Sequence, residues 1–296
     1  MAPHAETQPP PSTATTTPIK DTYRGPRHGI EYNRLRTQHD LVKYQEGGKL
    51  IQSPLALTNP SLRILDSATG DGQWLIEVAD VAPATAELVG TDLAPQFFTK
   101  EADRPANVTL TTHSIFERWP EAFRGSFDLV HQRFVLAVAS DAGAQDALEK
   151  LYECVKPGGW IEVHEGDMET VEDDPVKNAA MIRFRDMMVK AWTGLGHQPS
   201  PGPRLAEWLG AVGATDVQEK VQVIKAGARN EDPVQGERAL LTLLGLLDSI
   251  QMFLGGKPGF FFSPEDFKKL RVDLEDELRT VGNSWHFHIA WAKKPE

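Results

Sequence analysis

The sequence predicts a doubly wound α/β fold, a mostly parallel seven-stranded sheet with helices on both faces, and three observations carry that expectation. Short apolar runs alternate with stretches of helical period from residue 63 to residue 167. A glycine-rich turn follows the first of those runs, in RILDSATGDGQW. The final run, SWHFHIAWAKK, alternates strictly, so Trp285, Phe287, Ile289 and Trp291 share one side. Parallel neighbours need crossovers, and right-handed crossovers lay a helix on the sheet.

The elements follow in chain order. Residues 1–28 hold six of the 21 prolines and no basic region leading into an apolar one, so they read as a disordered tail before one domain, 29–296. GIEYNRLRTQHDLVKYQEGGKLI reads as a polar helix that Gly47 and Gly48 stop. Strands are expected over 63–69, 86–93, 107–113 and 127–134, with a helix from about residue 72 to 81 after the first. A helix carrying Leu148, Leu151, Tyr152 and Val155 on one face is expected to end at KPGG, and WIEVHEGD to start a fifth strand. Helices over 175–193 and 204–212 precede a strand, DVQEKVQVIKAG. The next helix, about 236–254, is apolar almost all round and must be covered. Ser263 as N-cap, Pro264 at the first helical position and Asp266 closing a capping box open the one after it. The helices within about 174–212 and 228–283 read as lid insertions forming an apolar pocket, with a dimer interface as the competing reading.

Composition narrows the partners. With 31 Lys plus Arg against 42 Asp plus Glu the net charge is -11, which works against a nucleic-acid backbone. The single cysteine, Cys154, favours a reducing compartment, the cytosol first and the nucleus second. The longest apolar run, ALLTLLGLLDSIQMFLGG, is too short to span a bilayer and is interrupted by Asp248. A small-molecule partner is expected, with no nucleic acid and no membrane; monomer and homodimer both stay open.

The turn at 66–72 discriminates among ligands. A phosphate-cradling loop ends in Gly-Lys-Ser/Thr, whereas Gly72 is followed by Gln73 and Trp74. A dinucleotide turn needs a third glycine, where Gln73 or Leu75 stands, and Asp66 would repel a pyrophosphate. Asp92, at the end of VGTDLAP, suits a ribose in either a nicotinamide cofactor or another nucleoside ligand.

Asp66 to Gly72 resembles the acidic-x-Gly-x-Gly-x-Gly motif of class I S-adenosylmethionine-dependent methyltransferases, with Ala68 in place of the first glycine. EYNRLRTQHDL, ILDSATGDGQW, VGTDLAP, FDLVHQRFVL and KPGGWIEVHEGD, in that order, are similar to the methyltransferase-like proteins of fungal secondary metabolism. The resemblance implies a Rossmann-like methyltransferase fold and S-adenosyl-L-methionine as cofactor. It places Asp66, Ala68, Gly70 and Gly72 along the methionine half, Asp92 at the ribose and Leu93 at the adenine face. Ser114 and Ile115, with Phe116, stand where the superfamily reads adenine, and Gln132 and Arg133 where the chain passes the methionine portion; Gln38 and His39 would close the cofactor in. Ala68 is acceptable only where the backbone is strand-like, which is the expectation here.

The implied activity is methylation of an oxygen, and less so a nitrogen, of an apolar secondary metabolite. A hydroxyl acceptor gains from a base, and His131, His164 and Glu165, at the carboxyl ends of their strands, are the catalytic candidates, with Asp167 beside them. A plainer reading makes the two histidines buried strand residues and pairs Glu165 with Arg133. His286 and His288 share a strand face without an evident third ligand, so no metal is expected. Two other functions share every cofactor residue: a regulator acting through protein partners, and a cofactor-bound enzyme of another reaction such as a cyclisation. A nicotinamide-dependent oxidoreductase is disfavoured by Asp66 and the missing glycine.

Overall fold

The structure is a computed structural model that describes residues 29–296, with side chains from Arg34 onward, so the expected tail lies outside the described residues. Helix α1 (Gly29–Gln45) leads into β1 (Arg63–Ser67), α2 (Gln73–Ala79), β2 (Glu87–Asp92), β3 (Val108–Thr112), β4 (Phe127–Arg133), α3 (Asp141–Glu153) and β5 (Val155–Val171). Then follow α4 (Ala179–Gly194), α5 (Leu205–Ala211), β6 (Thr215–Ala226), α6 (Pro233–Leu254), α7 (Pro264–Thr280) and β7 (Asn283–Lys293).

The seven strands form one sheet in the order β3-β2-β1-β4-β5-β7-β6, parallel except for β7, which runs antiparallel to β5 and β6. From β1 the chain winds outward to β2 and β3 and then returns to the other side for β4. Two neighbouring crossovers thus leave the sheet in opposite directions, which opens a crevice at the carboxyl ends of β1 and β4.

Both faces are covered, as continuous apolar strands require. On one face Ile64, Leu88 and Leu129 pack under Trp74, Leu75 and Val78 of α2. On the other Leu65, Val130, Ile161 and Val163 meet Leu148 and Leu151 of α3 and Trp208 of α5. A third core joins α4, α6 and α7 to the start of β7 through Phe184, Leu243, Phe267, Trp285 and Phe287. The apolar α6 is therefore covered within the chain, against α1, α7 and β6.

Two boundaries differ from expectation. KPGG does not end a helix: α3 stops at Glu153, and the β4–β5 register jumps from Phe127↔Val155 to Leu129↔Trp160. Residues 156–159 are extruded as a bulge, with Gly158 at φ 74° and a Cβ on Gly159 lying 3.0 Å from the Phe127 carbonyl oxygen. Helix α4 starts at Ala179 because the Asp174 carboxylate first accepts the Val176 and Lys177 N–H groups in a turn.

The capping box is formed as the sequence predicts. Ser263 Oγ accepts the Asp266 N–H at 3.1 Å and Asp266 Oδ2 accepts the Ser263 N–H at 3.0 Å. Ser263→Ala removes one acceptor from the start of α7 and should lower stability by about 1 kcal/mol in urea unfolding, with the slope of the transition unchanged.

Candidate cofactor and acceptor site

The glycine turn is built over a buried carboxylate. Asp66, at 2 % exposure, accepts the Thr69 hydroxyl at 2.6 Å and the His131 Nδ1–H at 2.7 Å, and the Trp74 ring lies on the His131 imidazole with centroids 3.7 Å apart. Burial holds the His131 ring below its ordinary pKa, against the pull of Asp66. Asp92 ties the turn to β2: its Oδ2 accepts the Gly70 N–H at 2.9 Å and its Oδ1 the Ala94 N–H at 3.0 Å. Gly70 and Gly72 take φ of 64° and 88°, and a Cβ on Gly72 would sit 2.8 Å from the Leu110 side chain.

Above this turn lies a cleft of about 220 Å³. Ala68, Gly70 and Asp71 form its floor, Asp92 and Leu93 one wall, and His113, Ile115 and Phe116 the wall beyond. Arg133, Phe134 and Val135 close the β4 side, and Arg36, Gln38 and His39 of α1 cover the top. Arg36 holds Asp71 at 2.7 Å, Lys43 holds Glu77 at 2.7 Å, and the Arg133 guanidinium donates to His39 Nδ1 at 2.6 Å. Burial lowers the His39 pKa, with the Arg133 charge adding to it. Burial would raise Glu77, yet Lys43, Gln73 and His39 take it down to about 2. Helix α1 is thus fastened across the cleft by charge.

A second cavity, of about 60 Å³, lies under α4 and α6. Met168, Met181, Met188, Leu243, Trp285 and Phe287 give it an apolar wall, with Asp167 and Arg185 among its polar members. Arg34 and Gln38 line both cavities, and Arg34 Nη1 donates to Gln38 Oε1 at 3.0 Å.

The structure brings Ala68, Gly70, Asp92, Leu93, Ile115, Arg133 and Gln38 together around the first cleft, as the sequence suggests. Asp66 and Gly72 support the turn from below and do not line it. Ser114 is turned inward, where its Oγ accepts the Phe116 N–H at 3.3 Å, and His113 lines the cleft in its place. Gln132 points to the α3 face, because adjacent strand residues face opposite sides and Arg133 takes the cleft. His131, His164 and Glu165 are 0 %, 3 % and 1 % exposed and line neither cavity. His164 Nε2 is 2.9 Å from Glu162 Oε1. Glu165 does not pair with Arg133; it accepts the Val135 and Leu136 N–H groups at 2.8 and 2.7 Å, and burial pushes it up to about 7 against those bonds.

Sequence reasoning missed Arg36, Asp71, Phe134 and Val135. A charge pair between α1 and the turn spans 35 residues with no local pattern to announce it. Phe134 has φ 56°, a conformation that no sequence rule assigns to phenylalanine. Ala68 also has φ 56°, so the expected strand-like backbone is corrected: the turn needs a left-handed residue directly after β1 to bring Thr69 back over Asp66.

Residues 64–159 match the family described as methyltransferase domain. The N-methyltransferase tcpN of Claviceps purpurea is 44 % identical over 269 residues, 90 % of this chain and 95 % of that protein. The N-methyltransferase gliN of Aspergillus fumigatus is 37 % identical over 268 residues, 90 % and 94 % of the two chains. A Haemonchus contortus phosphoethanolamine N-methyltransferase 2 solved with S-adenosyl-L-methionine aligns with a TM-score of 0.49 at 16 % identity, over 88 % of this chain and 53 % of that one. Fold, cleft and matches together define a class I S-adenosylmethionine-dependent methyltransferase. The chain belongs to the family of fungal methyltransferases that includes tcpN and gliN.

Left-handed backbone at a residue with a Cβ costs roughly 1–2 kcal/mol, and glycine gives back about 0.4–1 kcal/mol of that in unfolded-chain entropy. Ala68→Gly should therefore leave stability unchanged or raise it by up to about 1.5 kcal/mol in urea unfolding. Ala68→Val, whose branched side chain tolerates positive φ least, should lower it by at least about 1 kcal/mol.

Proposed function

We propose that the chain methylates a nitrogen atom of an apolar small molecule of the kind made in fungal secondary metabolism. The observation that carries this reading is that Arg34 and Gln38 line both cavities, which sets an apolar chamber for the acceptor beside the cleft for the cofactor. The relatives named as N-methyltransferases support nitrogen over the oxygen that the sequence alone puts first.

The cleft suits the cofactor by its donor set. Asp92 offers a carboxylate for ribose hydroxyls, Leu93 and Ile115 offer apolar faces to adenine, and the open space over Gly70 leaves backbone accessible to the methionine half. His113 Nε2, buried with no hydrogen-bond partner among the described residues, supplies a polar contact at the far wall. Bound there, the cofactor supplies an electrophilic methyl group on a sulfonium.

Residue chemistry also favours nitrogen. A phenol with a pKa of about 10 needs a base, as does an alkylammonium of similar pKa, whereas a weakly basic nitrogen is neutral at about pH 7, attacks without prior deprotonation and loses its proton after transfer. His131, His164 and Glu165 are sealed from the acceptor chamber. Asp167 does line it; burial raises that carboxyl, but Thr170, the Glu169 N–H and Ser200 hold it below its ordinary range, which makes it a weak proton acceptor. What remains to the protein is positioning and the exclusion of water, and the apolar chamber under α4 and α6 provides both.

The test is incubation of the purified chain with methyl-labelled cofactor and matched apolar acceptors carrying either an N–H or a hydroxyl, with products located by mass spectrometry. Label on nitrogen is expected, and Asp92→Ala should weaken cofactor binding at least about 10-fold in calorimetry, the loss of one or more charge-assisted hydrogen bonds. Label on oxygen alone would overturn the reading.

A further inference from the structure

The face of the sheet beneath the cofactor turn carries a cluster that the transfer reaction does not use. Strands β4 and β5 pair with His131 opposite Glu162 and Arg133 opposite His164. The two-residue period of β5 puts Glu162 and His164 on the same face as His131. One ligating atom from each of the three lies within 4.8 Å of the other two. All three residues are at least 97 % buried, at 0 %, 0 % and 3 % exposure for His131, Glu162 and His164.

We propose that His131, Glu162 and His164 form a buried divalent-metal site, fitted to zinc, that fastens β4, β5 and the segment at residues 52–53 beneath the cofactor turn. Two imidazoles and one carboxylate are a zinc-type donor set. The Nδ1–H of His131 is committed to Asp66 at 2.7 Å, which leaves a lone pair on Nε2, and that atom has no hydrogen-bond partner among the described residues. A carboxylate on the far nitrogen of a ligating histidine is the usual outer support of such a ligand, and Trp74 stacked at an interplanar angle of 4° fixes the ring. Glu162 is held from behind by the Gln52 and Ser53 N–H groups, its Oε2 accepting them at 2.9 and 2.8 Å. The two imidazole planes stand at 76° with centroids 5.1 Å apart, so the rings converge without stacking.

The charge balance points the same way. Asp66 and Glu162 place two carboxylates on this face, at 2 % and 0 % exposure, and Arg133 is a cation acting on Asp66. A buried carboxylate without a matching cation is costly, and a divalent ion supplies the missing charge. Zinc bonds of about 2.0–2.1 Å put tetrahedral ligands roughly 3.3 Å apart, so the three groups need to close by about 1.5 Å at most. The ion takes the free Nε2 lone pair of His131 and replaces the proton between His164 Nε2 and Glu162 Oε1. That proton passes to His164 Nδ1, which is buried and without a hydrogen-bond partner among the described residues, so none is released. The site lines neither cavity, so its role is to hold the floor of the cleft and not to touch the reacting atoms.

The experiment uses the full chain freed of any affinity tag. Metal content by plasma mass spectrometry after growth with added zinc is expected at about one ion per chain. Cobalt substituted for zinc should give the visible bands of a four-coordinate nitrogen–oxygen site. His164→Gln keeps an N–H donor for Glu162 and so spares the fold; it should bind zinc at least about 10-fold more weakly in calorimetry, while His286→Gln, on β7, should leave binding unchanged. Should His164→Gln fail to fold, the cobalt spectrum of the unaltered chain still decides. A chain that purifies without metal and takes up neither zinc nor cobalt at micromolar concentration overturns the proposal, as does full retention of zinc by folded His164→Gln. None of these outcomes depends on methyl transfer, so they stand apart from the proposed function.

Discussion

The Asp66–His131 contact is the interaction on which the rest of the site depends. A carboxylate at 2 % exposure, 2.7 Å from an imidazole at 0 %, locks the end of β1 to the middle of β4 at the point where the strand order reverses. From that pair the geometry spreads outward in three directions. Thr69 bends back onto the same carboxylate and shapes the turn, Trp74 lies on the imidazole and seats α2, and Asp92 grips the Gly70 N–H from β2. The glycine turn is therefore held by partnered groups in a dry environment, where a missing partner is costly.

Much of this was legible in residue patterns. The period of the apolar runs foretold all seven strands, and the Ser263–Asp266 box foretold the start of α7. Motif position singled out Gly70, Asp92, Leu93 and Arg133, four residues that line the cleft. Depth was not legible. His131 and Arg133 share a strand face, yet one lies beneath α2 and the other reaches the cleft; His164 and Glu165 face opposite sides, and both are sealed. A motif fixes where along a strand a residue falls, while burial depends on helices that arrive from elsewhere in the chain.

Backbone conformation was the other blind spot. KPGG carries the residues of a helix stop, but the ladder to β4 and the space around Gly159 turn it into a bulge. Ala68 and Phe134 occupy left-handed backbone at the ends of neighbouring strands, and both line the cleft. Local rules fail at these two places because tertiary contacts outweigh local preference there: the Thr69 bond over Asp66 for one, the Phe134 N–H to the His164 carbonyl at 2.9 Å for the other. Strain of this kind gathers where backbone must approach a ligand closely.

The division of labour that we propose is a charged, strapped cleft for the cofactor and an apolar chamber for the acceptor, with Arg34 and Gln38 lining both. A crystal structure of the chain with S-adenosylhomocysteine tests that account most directly. It predicts the ribose hydroxyls on Asp92, the adenine between Leu93 and Ile115, and the sulfur turned toward the Gln38 side of the cleft, facing the second cavity. A ligand whose sulfur points away from Gln38, or a continuous wall between it and the chamber under α4 and α6, would contradict it.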